Sequence, residues 1–313
     1  MKSLLGGLTG AALLASVVTA SSAGARALEE RCNIGEPGFV AGGYAVQANR
    51  WNSHGEICVT FGEGTSWTVS RSNLDWGTLQ NGAPPGAYPN IGTAIAEERL
   101  PLRVDDPREV RTTWDITPAE GDFNASYDIW YHPDPAACRS TTPYIVANGG
   151  ALEIMIWLTS PGIDPSPEWK LAEGVTVGGR TYDLYRFTGP TGQVGLIYDM
   201  REQTHRIEGF DLRPFGADAA ARGFQSPQAY LCKVQAGFEV TRNGTGLRTN
   251  EFSLDVGPAA QTTAPATAEP RSAAASRRKE EEPAGPSRFL PLVLPVVIGI
   301  GAGAWWWRRA ARR

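Results

Sequence analysis

Short segments in which apolar and polar residues alternate recur through the middle of the chain, and they constrain its fold more than any other feature. A period of two places successive side chains on opposite faces of a strand, so each segment has one face suited to burial. Turn-forming residues separate the segments, and many short strands of this kind predict an all-β sandwich or barrel. The nine segments are 43–46, 56–61, 66–69, 126–131, 152–158, 181–187, 194–198, 229–240 and 252–256.

One stretch has helical spacing instead. Residues 211–223 follow the helical period, with Asp211 as the candidate N-cap and Gly223 as the C-terminal stop. We therefore predict a two-sheet antiparallel β-sandwich with one short helix.

Charge and composition exclude several classes of function for this middle part. Residues 28–256 contain 18 Lys and Arg against 29 Asp and Glu, an acidic excess that argues against binding to nucleic acid. The whole chain has only three His and four Cys, and these form neither a Cys-x-x-Cys nor a His-x-x-x-His pair. We expect no metal and no cofactor, so any chemistry would depend on carboxylates.

The segment 152–158 carries an unusual polar face. Its even-numbered residues are all aliphatic and form the face predicted to be buried. The other face carries Glu153, Met155 and Trp157. A solvent-facing surface normally carries small polar or charged residues, so we interpret this face as the floor of a groove. An aromatic ring beside a carboxylate suits sugar binding, because the apolar face of a pyranose stacks on the ring, and Trp157 is a candidate for that role.

Two further segments place an acid on a polar face. Asp128 shares its face of 126–131 with Trp130, and Glu239 lies on the polar face of 229–240. Three strands therefore each present a carboxylate. The spacing alone leaves two interpretations open, a carbohydrate site and an ordinary half-exposed sheet.

The N-terminus has the pattern of a secretory signal peptide. Lys2 precedes an apolar run over residues 4–20, and small residues suited to cleavage follow at 23–27. We predict that residues 1–27 are removed on export.

The C-terminus has the pattern of a membrane anchor. Residues 289–307 contain no charge, and 19 residues in a helix span about 28 Å, close to the thickness of a bilayer. Three tryptophans end the stretch and four arginines follow, which predicts a cytoplasmic C-terminus. The chain before this single-pass helix is then extracellular, at the cell membrane.

A biased segment joins the two parts. Of the 31 residues in 257–287, 20 are Pro, Ala, Ser or Thr, a composition that predicts a disordered linker. The predicted organisation is a signal peptide, one folded domain, this linker and the anchor with its basic tail, over residues 1–27, 28–256, 257–287 and 288–313.

Export permits disulfides. Cys32 and Cys58 are 26 residues apart, and a bridge between them would contribute about 3 kcal/mol in the chain-entropy model. Cys232 falls on the predicted inward face of its strand, so a buried thiol and a second bridge to Cys138 both remain open.

Several motifs together resemble glycoside hydrolase family 12, the jelly-roll (concanavalin-like) endo-β-1,4-glucanases. They are Tyr-Ala-Val-Gln-Ala-Asn-Arg-Trp-Asn at 44–52, Asn-Ala-Ser-Tyr-Asp-Ile-Trp at 124–130, Glu-Ile-Met-Ile-Trp-Leu at 153–158 and Val-Gln-Ala-Gly-Phe-Glu-Val at 234–240. The resemblance covers essentially the whole predicted ectodomain. One position departs from it, since Thr241 stands where several bacterial members carry an aromatic residue.

The resemblance implies a retaining enzyme that cuts internal bonds of β-glucans. Glu153 matches the nucleophile, Glu239 the general acid/base and Asp128 the acid that hydrogen-bonds the nucleophile. We predict that the charge of Glu153 raises the pKa of Glu239, so that Glu239 starts protonated. The residues that match the glycone side of the cleft are Asn49, Trp51, Asn124 and Met155.

Two rival functions remain. A non-catalytic surface protein could bind carbohydrate in the same groove, although binding alone does not require two opposed acids. An enzyme of the same class could instead prefer xyloglucan or mixed-linkage β-glucan, depending on the loops at 81–90 and 160–169. We expect a monomer in all three cases.

Overall fold

The computed structural model describes residues 27–35, 37–93, 99–139 and 149–258. These residues form sixteen strands, one α-helix and four short 3-10 helices. The strands are β1 (Glu29–Cys32), β2 (Gly38–Val40), β3 (Tyr44–Gln47), β4 (Ile57–Phe61), β5 (Trp67–Ser72), β6 (Asn90–Thr93), β7 (Leu102–Arg103), β8 (Val110–Thr117), β9 (Gly121–His132), β10 (Leu152–Thr159), β11 (Lys170–Val177), β12 (Arg180–Thr188), β13 (Val194–Met200), β14 (Arg206–Asp211), β15 (Tyr230–Asn243) and β16 (Arg248–Val256).

The strands form two sheets, so the predicted sandwich is confirmed. The smaller sheet has the order β1-β4-β5-β16-β8-β14. The larger has the order β11-β12-β13-β10-β9-β15-β6-β3-β2, with β7 paired to β15 at its side. All nine predicted strands are present. Seven of the described strands were not predicted; among them β2 and β6 lack a clear alternation, whereas β8 alternates and was missed.

The prediction of fully antiparallel sheets is wrong at one pair, because β10 and β13 are parallel. β11, β12 and β13 follow as antiparallel neighbours, which makes β10 and β11 run in the same direction. Between β10 and β11 the chain must therefore return to the end of the sheet at which β10 begins. Ile163 of this return belongs to one hydrophobic cluster with Trp157, and Trp169, also in the return, packs against that cluster. The cluster is separate from the core between the sheets.

The core lies between the sheets and is rich in aromatic side chains. Phe238 of β15 is fully buried and packs against Trp67, Trp114 and Phe123. The aliphatic face predicted for β10 belongs to the same core. Each strand that presents a carboxylate on its outer face thus presents core residues on its inner face.

The helix α1 (Arg213–Ala221) confirms the predicted helix but corrects its start. Its N-cap is Leu212, not Asp211, which closes strand β14. The Asp211 carboxylate still accepts a hydrogen bond from the Arg213 backbone N–H at 3.1 Å, two positions further along the chain. Gly223 has a φ of 80° just past the helix, as expected for a C-terminal stop.

Both cysteine pairs are disulfides. Cys32 and Cys58 join β1 to β4, as predicted, and Cys138 joins Cys232, which settles the alternative that the sequence left open. The predicted inward orientation of Cys232 is wrong. A β-bulge between residues 231 and 233 changes the alternation, so Cys232 packs with Trp130 on the outer face of the large sheet.

The predicted signal peptide except residue 27, most of the predicted linker and the predicted anchor lie outside the described residues. Among the residues that the structure does describe, no helix has the length and apolar character to cross a membrane.

Candidate active site

Three adjacent strands bring the predicted acids together. β9 lies between β10 and β15, and the outer faces of these three strands form the floor of the site. Glu153 of β10 pairs with Trp130 of β9, and Glu239 of β15 pairs with Asn124 of β9. Asp128 lies on β9 between Asn124 and Trp130.

Glu153 is half-buried, and a side-chain amide donates a hydrogen bond to its carboxylate. Gln193 donates its side-chain amide to Glu153 Oε2 at 3.1 Å. Burial raises the pKa of Glu153 to about 7, and the Gln193 hydrogen bond opposes that rise. Gln193 precedes β13, which pairs with β10, so the parallel pair brings the amide to the carboxylate. The alternation along the chain does not indicate this contact.

Glu239 is also half-buried, and its partner comes from the neighbouring strand. Asn124 donates its side-chain amide to Glu239 Oε2 at 2.6 Å. Burial raises the pKa of Glu239 to about 7, the Asn124 amide lowers it, and the charge of Glu153 raises it further. The predicted effect of Glu153 on Glu239 is therefore present, but burial is the larger cause.

Asp128 is buried beside both glutamates. Burial raises its pKa well above the usual value, and the charges of Glu153 and Glu239 add to the rise. Asp128 Oδ1 has no hydrogen-bond partner among the described residues. A protonated carboxyl group can donate a hydrogen bond to an ionised neighbour, so Asp128 is able to donate one to Glu153. The hydrogen bond between them stays a prediction.

Tyr88 is a site residue that the sequence did not indicate. It is buried, and its hydroxyl donates to the backbone oxygen of Ser126 at 3.0 Å. Burial raises its pKa well above the usual value, and the charges of Asp128, Glu239 and Glu153 each add to the rise. The phenol therefore lies among all three acids and keeps its proton. Its segment does not alternate, so periodicity gave no signal.

The predicted sugar-contacting residues have different exposures. Trp51 is 43% exposed, and Asn49 beside it is half-buried. Asn124 is fully buried against Glu239. Met155 and Trp157 are each 4% exposed. The return of the chain after β10 covers Trp157, so its ring offers no open face for stacking; the sequence could not indicate this because it depends on the parallel pairing of β10 and β13.

The floor continues toward β3 through a network of side-chain amides. Gln235 and Gln47 both donate to Asn90 Oδ1, at 2.9 and 3.3 Å. Asn90 in turn donates to the backbone oxygen of Tyr88 at 2.7 Å. These bonds join β15, β6 and β3, and they connect the acids to the side of the floor near Asn49 and Trp51.

This arrangement can perform acid–base and nucleophilic chemistry. Two carboxyl groups with pKa values near neutrality lie on one solvent-accessible face, close enough for the charge of one to act on the other. Such a pair can share one proton, so that one group attacks while the other donates.

Comparison with known proteins agrees with this geometry. The sequence matches the model of glycosyl hydrolase family 12 over residues 42–257. No curated protein sequence matches the chain. Among solved structures, the endoglucanase Cel12A from Rhodothermus marinus is 32% identical, with a TM-score of 0.63 over 73% of this chain and 98% of that one.

Two other solved structures show the range of relatives. A metagenome-derived family 12 endoglucanase is 29% identical, with a TM-score of 0.64 over 74% of this chain and 98% of that one. A family 12 xyloglucanase from Bacillus licheniformis is 20% identical, with a TM-score of 0.60 over 73% of this chain and 100% of that one, and it shows the fold alone. The chain belongs to glycosyl hydrolase family 12 and is a glycoside hydrolase.

Proposed function

We propose that this glycoside hydrolase is an endo-β-1,4-glucanase that cuts internal bonds with retention of anomeric configuration. The observation that carries the proposal is the pair Glu153 and Glu239. Both are half-buried on one face, with pKa values near 7 and an electrostatic interaction between them. A retaining mechanism requires one ionised and one protonated carboxyl group on either side of the scissile bond.

In the first step, ionised Glu153 attacks the anomeric carbon and forms a covalent glycosyl-enzyme. The bond from this carbon to the glycosidic oxygen breaks, and Glu239 gives that oxygen its proton, so the departing sugar leaves as an alcohol. The loss of charge on Glu153 then removes one cause of the raised pKa of Glu239.

In the second step, ionised Glu239 takes a proton from water, and the oxygen of that water attacks the anomeric carbon. The ester to Glu153 breaks, which returns both glutamates to their starting states. Asn124 stabilises the ionised form of Glu239 at this stage, because its amide is already hydrogen-bonded to Oε2.

The choice of β-1,4-glucan rests on the relatives. The Rhodothermus marinus protein at 32% identity is named an endoglucanase, whereas the xyloglucanase from Bacillus licheniformis is only 20% identical. Xyloglucan and mixed-linkage β-glucan are the alternatives within the same chemistry. The segment at 160–169, which lies over Trp157, is one of the two loops expected to decide between them.

The site of action that we propose is the outer surface of the cell membrane. The proposal rests on the charged, apolar and small-residue order of residues 1–27 and on the uncharged stretch at 289–307 with its arginine-rich end. The predicted linker at 257–287 joins the folded domain to this stretch, and it would let the enzyme reach polymer about 30 Å from the membrane. A truncation after residue 287 tests the anchor, since that form should appear in the medium; retention of it with the membranes would contradict anchoring.

The test of function compares the full-length protein with its Glu153→Gln and Glu239→Gln variants on carboxymethylcellulose, barley β-glucan and xyloglucan. We expect reducing-sugar release by the wild type only, fastest on an unbranched β-1,4-glucan. Equal release by all three proteins would contradict the assignment, and no release by any would favour a binding protein. Proton NMR of the first product separates the mechanisms, because initial formation of the α-anomer would exclude retention.

A further inference from the structure

Phe187 is an aromatic residue of the large sheet that lies close to Glu153. Gly195 of β13 pairs with Glu153 on one side and with Phe187 of β12 on the other, so the three residues form one row across three strands. Leu184 and Leu196 belong to the core between the sheets. Phe187 and Gly195 lie an odd number of positions from these leucines on their strands, and they therefore share the outer face with Glu153.

The ring of Phe187 lies directly over Gly195. A Cβ atom placed on Gly195 would be 2.0 Å from Phe187 Cζ, far inside van der Waals contact. Cζ is the far end of the ring, so the side chain extends from β12 across β13, in the direction of the strand that carries Glu153. Only glycine at position 195 leaves room for the ring in this place.

A second aromatic ring packs on Phe187. The centroid of the Trp169 ring lies 5.7 Å from that of Phe187, with an angle of 34° between the ring planes. Both side chains are half-buried, and both pack against the hydrophobic cluster that contains Trp157 and Ile163. The pair thus borders the covered part of the outer face, and part of its aromatic surface stays open.

Phe187 supplies the open apolar surface next to Glu153. Three side chains surround Glu153 on its own strand and on β9, and each is at most 5% exposed: Ala151, Met155 and Trp130. These side chains offer little surface to a ligand. On the remaining side the neighbour is Gly195, which has no side chain, and the half-buried ring of Phe187 occupies the space above it.

We propose that Phe187 contacts the glucosyl unit that becomes bonded to Glu153. The inference rests on the proposed function and deepens it, because in that mechanism the anomeric carbon of this unit forms an ester with the Glu153 carboxylate. The unit must therefore lie beside Glu153 whichever way the polymer runs across the sheet. The C–H groups of a pyranose pack on an aromatic ring, and a ring already held by Trp169 loses little freedom on binding.

Two substitutions test the contact, one by removing the ring and one by moving it. Phe187→Ala removes it. Gly195→Ala keeps the ring but puts a methyl group where its far end lies, and alanine suits the backbone there because Gly195 has no positive φ. The double variant combines the two changes. Leu28→Ala is the control, because Leu28 is 74% exposed and precedes the first strand of the smaller sheet.

The full-length proteins are compared on two substrates. In a dinitrophenyl β-cellobioside the departing group is a phenolate without a sugar, whereas in carboxymethylcellulose a glucan segment departs. We expect Phe187→Ala and Gly195→Ala each to lower the plateau value of kcat/KM about tenfold on both substrates, since each substrate places a glucosyl unit on Glu153. The double variant should match Phe187→Ala, because the added methyl group then has no ring to displace. Leu28→Ala should match the wild type.

Several results would overturn the contact and leave the proposed function intact. With Phe187→Ala, no loss on either substrate would exclude it, and a loss on the polymer alone would assign the ring to the departing sugars. A shift of the acid limb of the pH profile at an unchanged plateau would show that the ring acts only by burying Glu153. Losses that multiply in the double variant would show that Gly195 acts independently of the ring.

Failure of the proposed function has a different signature. A wild type inactive on both substrates would overturn the proposed function and the contact together. Thermal unfolding midpoints well above the assay temperature would show that any loss is not a loss of folded protein. Because the two substitutions disturb the packing in different ways, either one tests the contact if the other does not fold.

Discussion

Asn124 donates a hydrogen bond of 2.6 Å to the Glu239 carboxylate. The two residues are cross-strand partners on β9 and β15, so the backbone register itself fixes their contact. This bond opposes the effect of burial on the pKa of Glu239, and it gives a way to test the protonation of that residue.

We predict that Asn124→Leu moves the alkaline limb of the pH profile upward. The amide lowers the pKa of Glu239, so its removal raises that pKa and keeps the proposed proton donor protonated to higher pH. A hydrogen bond to a charged group corresponds to a shift of about one pH unit. The pH dependence of kcat/KM on an aryl cellobioside measures it. A shift of the acid limb alone would contradict the role given to Glu239.

The complementary change concerns Gln193, the donor to Glu153. Gln193→Leu should raise the pKa of Glu153 and move the acid limb upward by about one pH unit, because Glu153, the proposed nucleophile, must be ionised to attack. Thr191→Val is the matched control. It removes a hydrogen bond to the Gln193 oxygen and leaves the amide that faces Glu153 in place. Equal profiles for wild type and Gln193→Leu would count against Glu153 as nucleophile.

Azide should restore turnover to a variant that lacks the proposed acid/base, and the configuration of the product should show which glutamate was removed. Glu239→Ala is expected to lower kcat on barley β-glucan by about 10²–10⁴-fold. With an aryl cellobioside, azide should restore turnover of this variant and yield a β-glycosyl azide, because the leaving group needs no proton and azide needs no base. An α-glycosyl azide would instead exchange the roles of the two glutamates.

The two disulfides should contribute unequally to stability. The Cys138–Cys232 bridge closes a separation of 94 residues, against 26 for Cys32–Cys58. In the chain-entropy model the longer loop contributes about 1 kcal/mol more. Guanidinium unfolding of the two double-serine variants measures this difference. Equal losses would indicate that the unfolded chain is already restricted around the longer loop.

The sequence predicted the strands that carry the acids, because these strands alternate cleanly between a core face and an outer face. Glu153, Asp128 and Glu239 lie on the outer faces expected for them. The same rule failed at Cys232. A bulge adds one residue to one strand, and nothing in the alternation marks where it occurs.

The remaining differences come from contacts between distant segments. Trp157 has the spacing of a groove residue, yet the chain returning from β10 to β11 covers it. Tyr88 and Gln193 reach the acids from turns outside the regular strands, so no period could indicate them. The relative size of the causes that raise the pKa of Glu239 likewise depends on how deeply the fold buries it, which is a property of the assembled sheet.

The position of β9 between the two acid-bearing strands also bears on how such an enzyme can diversify. The two glutamates are held apart by one strand and its backbone hydrogen bonds, whereas the segments expected to decide substrate preference, 81–90 and 160–169, connect strands. Exchange of turns between relatives could therefore redirect the enzyme to another polysaccharide without rebuilding the reaction centre. The catalytic residues on the sheet and the turns that recognise the polymer could then change independently of each other. A library of turns grafted onto one unchanged sheet would be a rational route to new specificities.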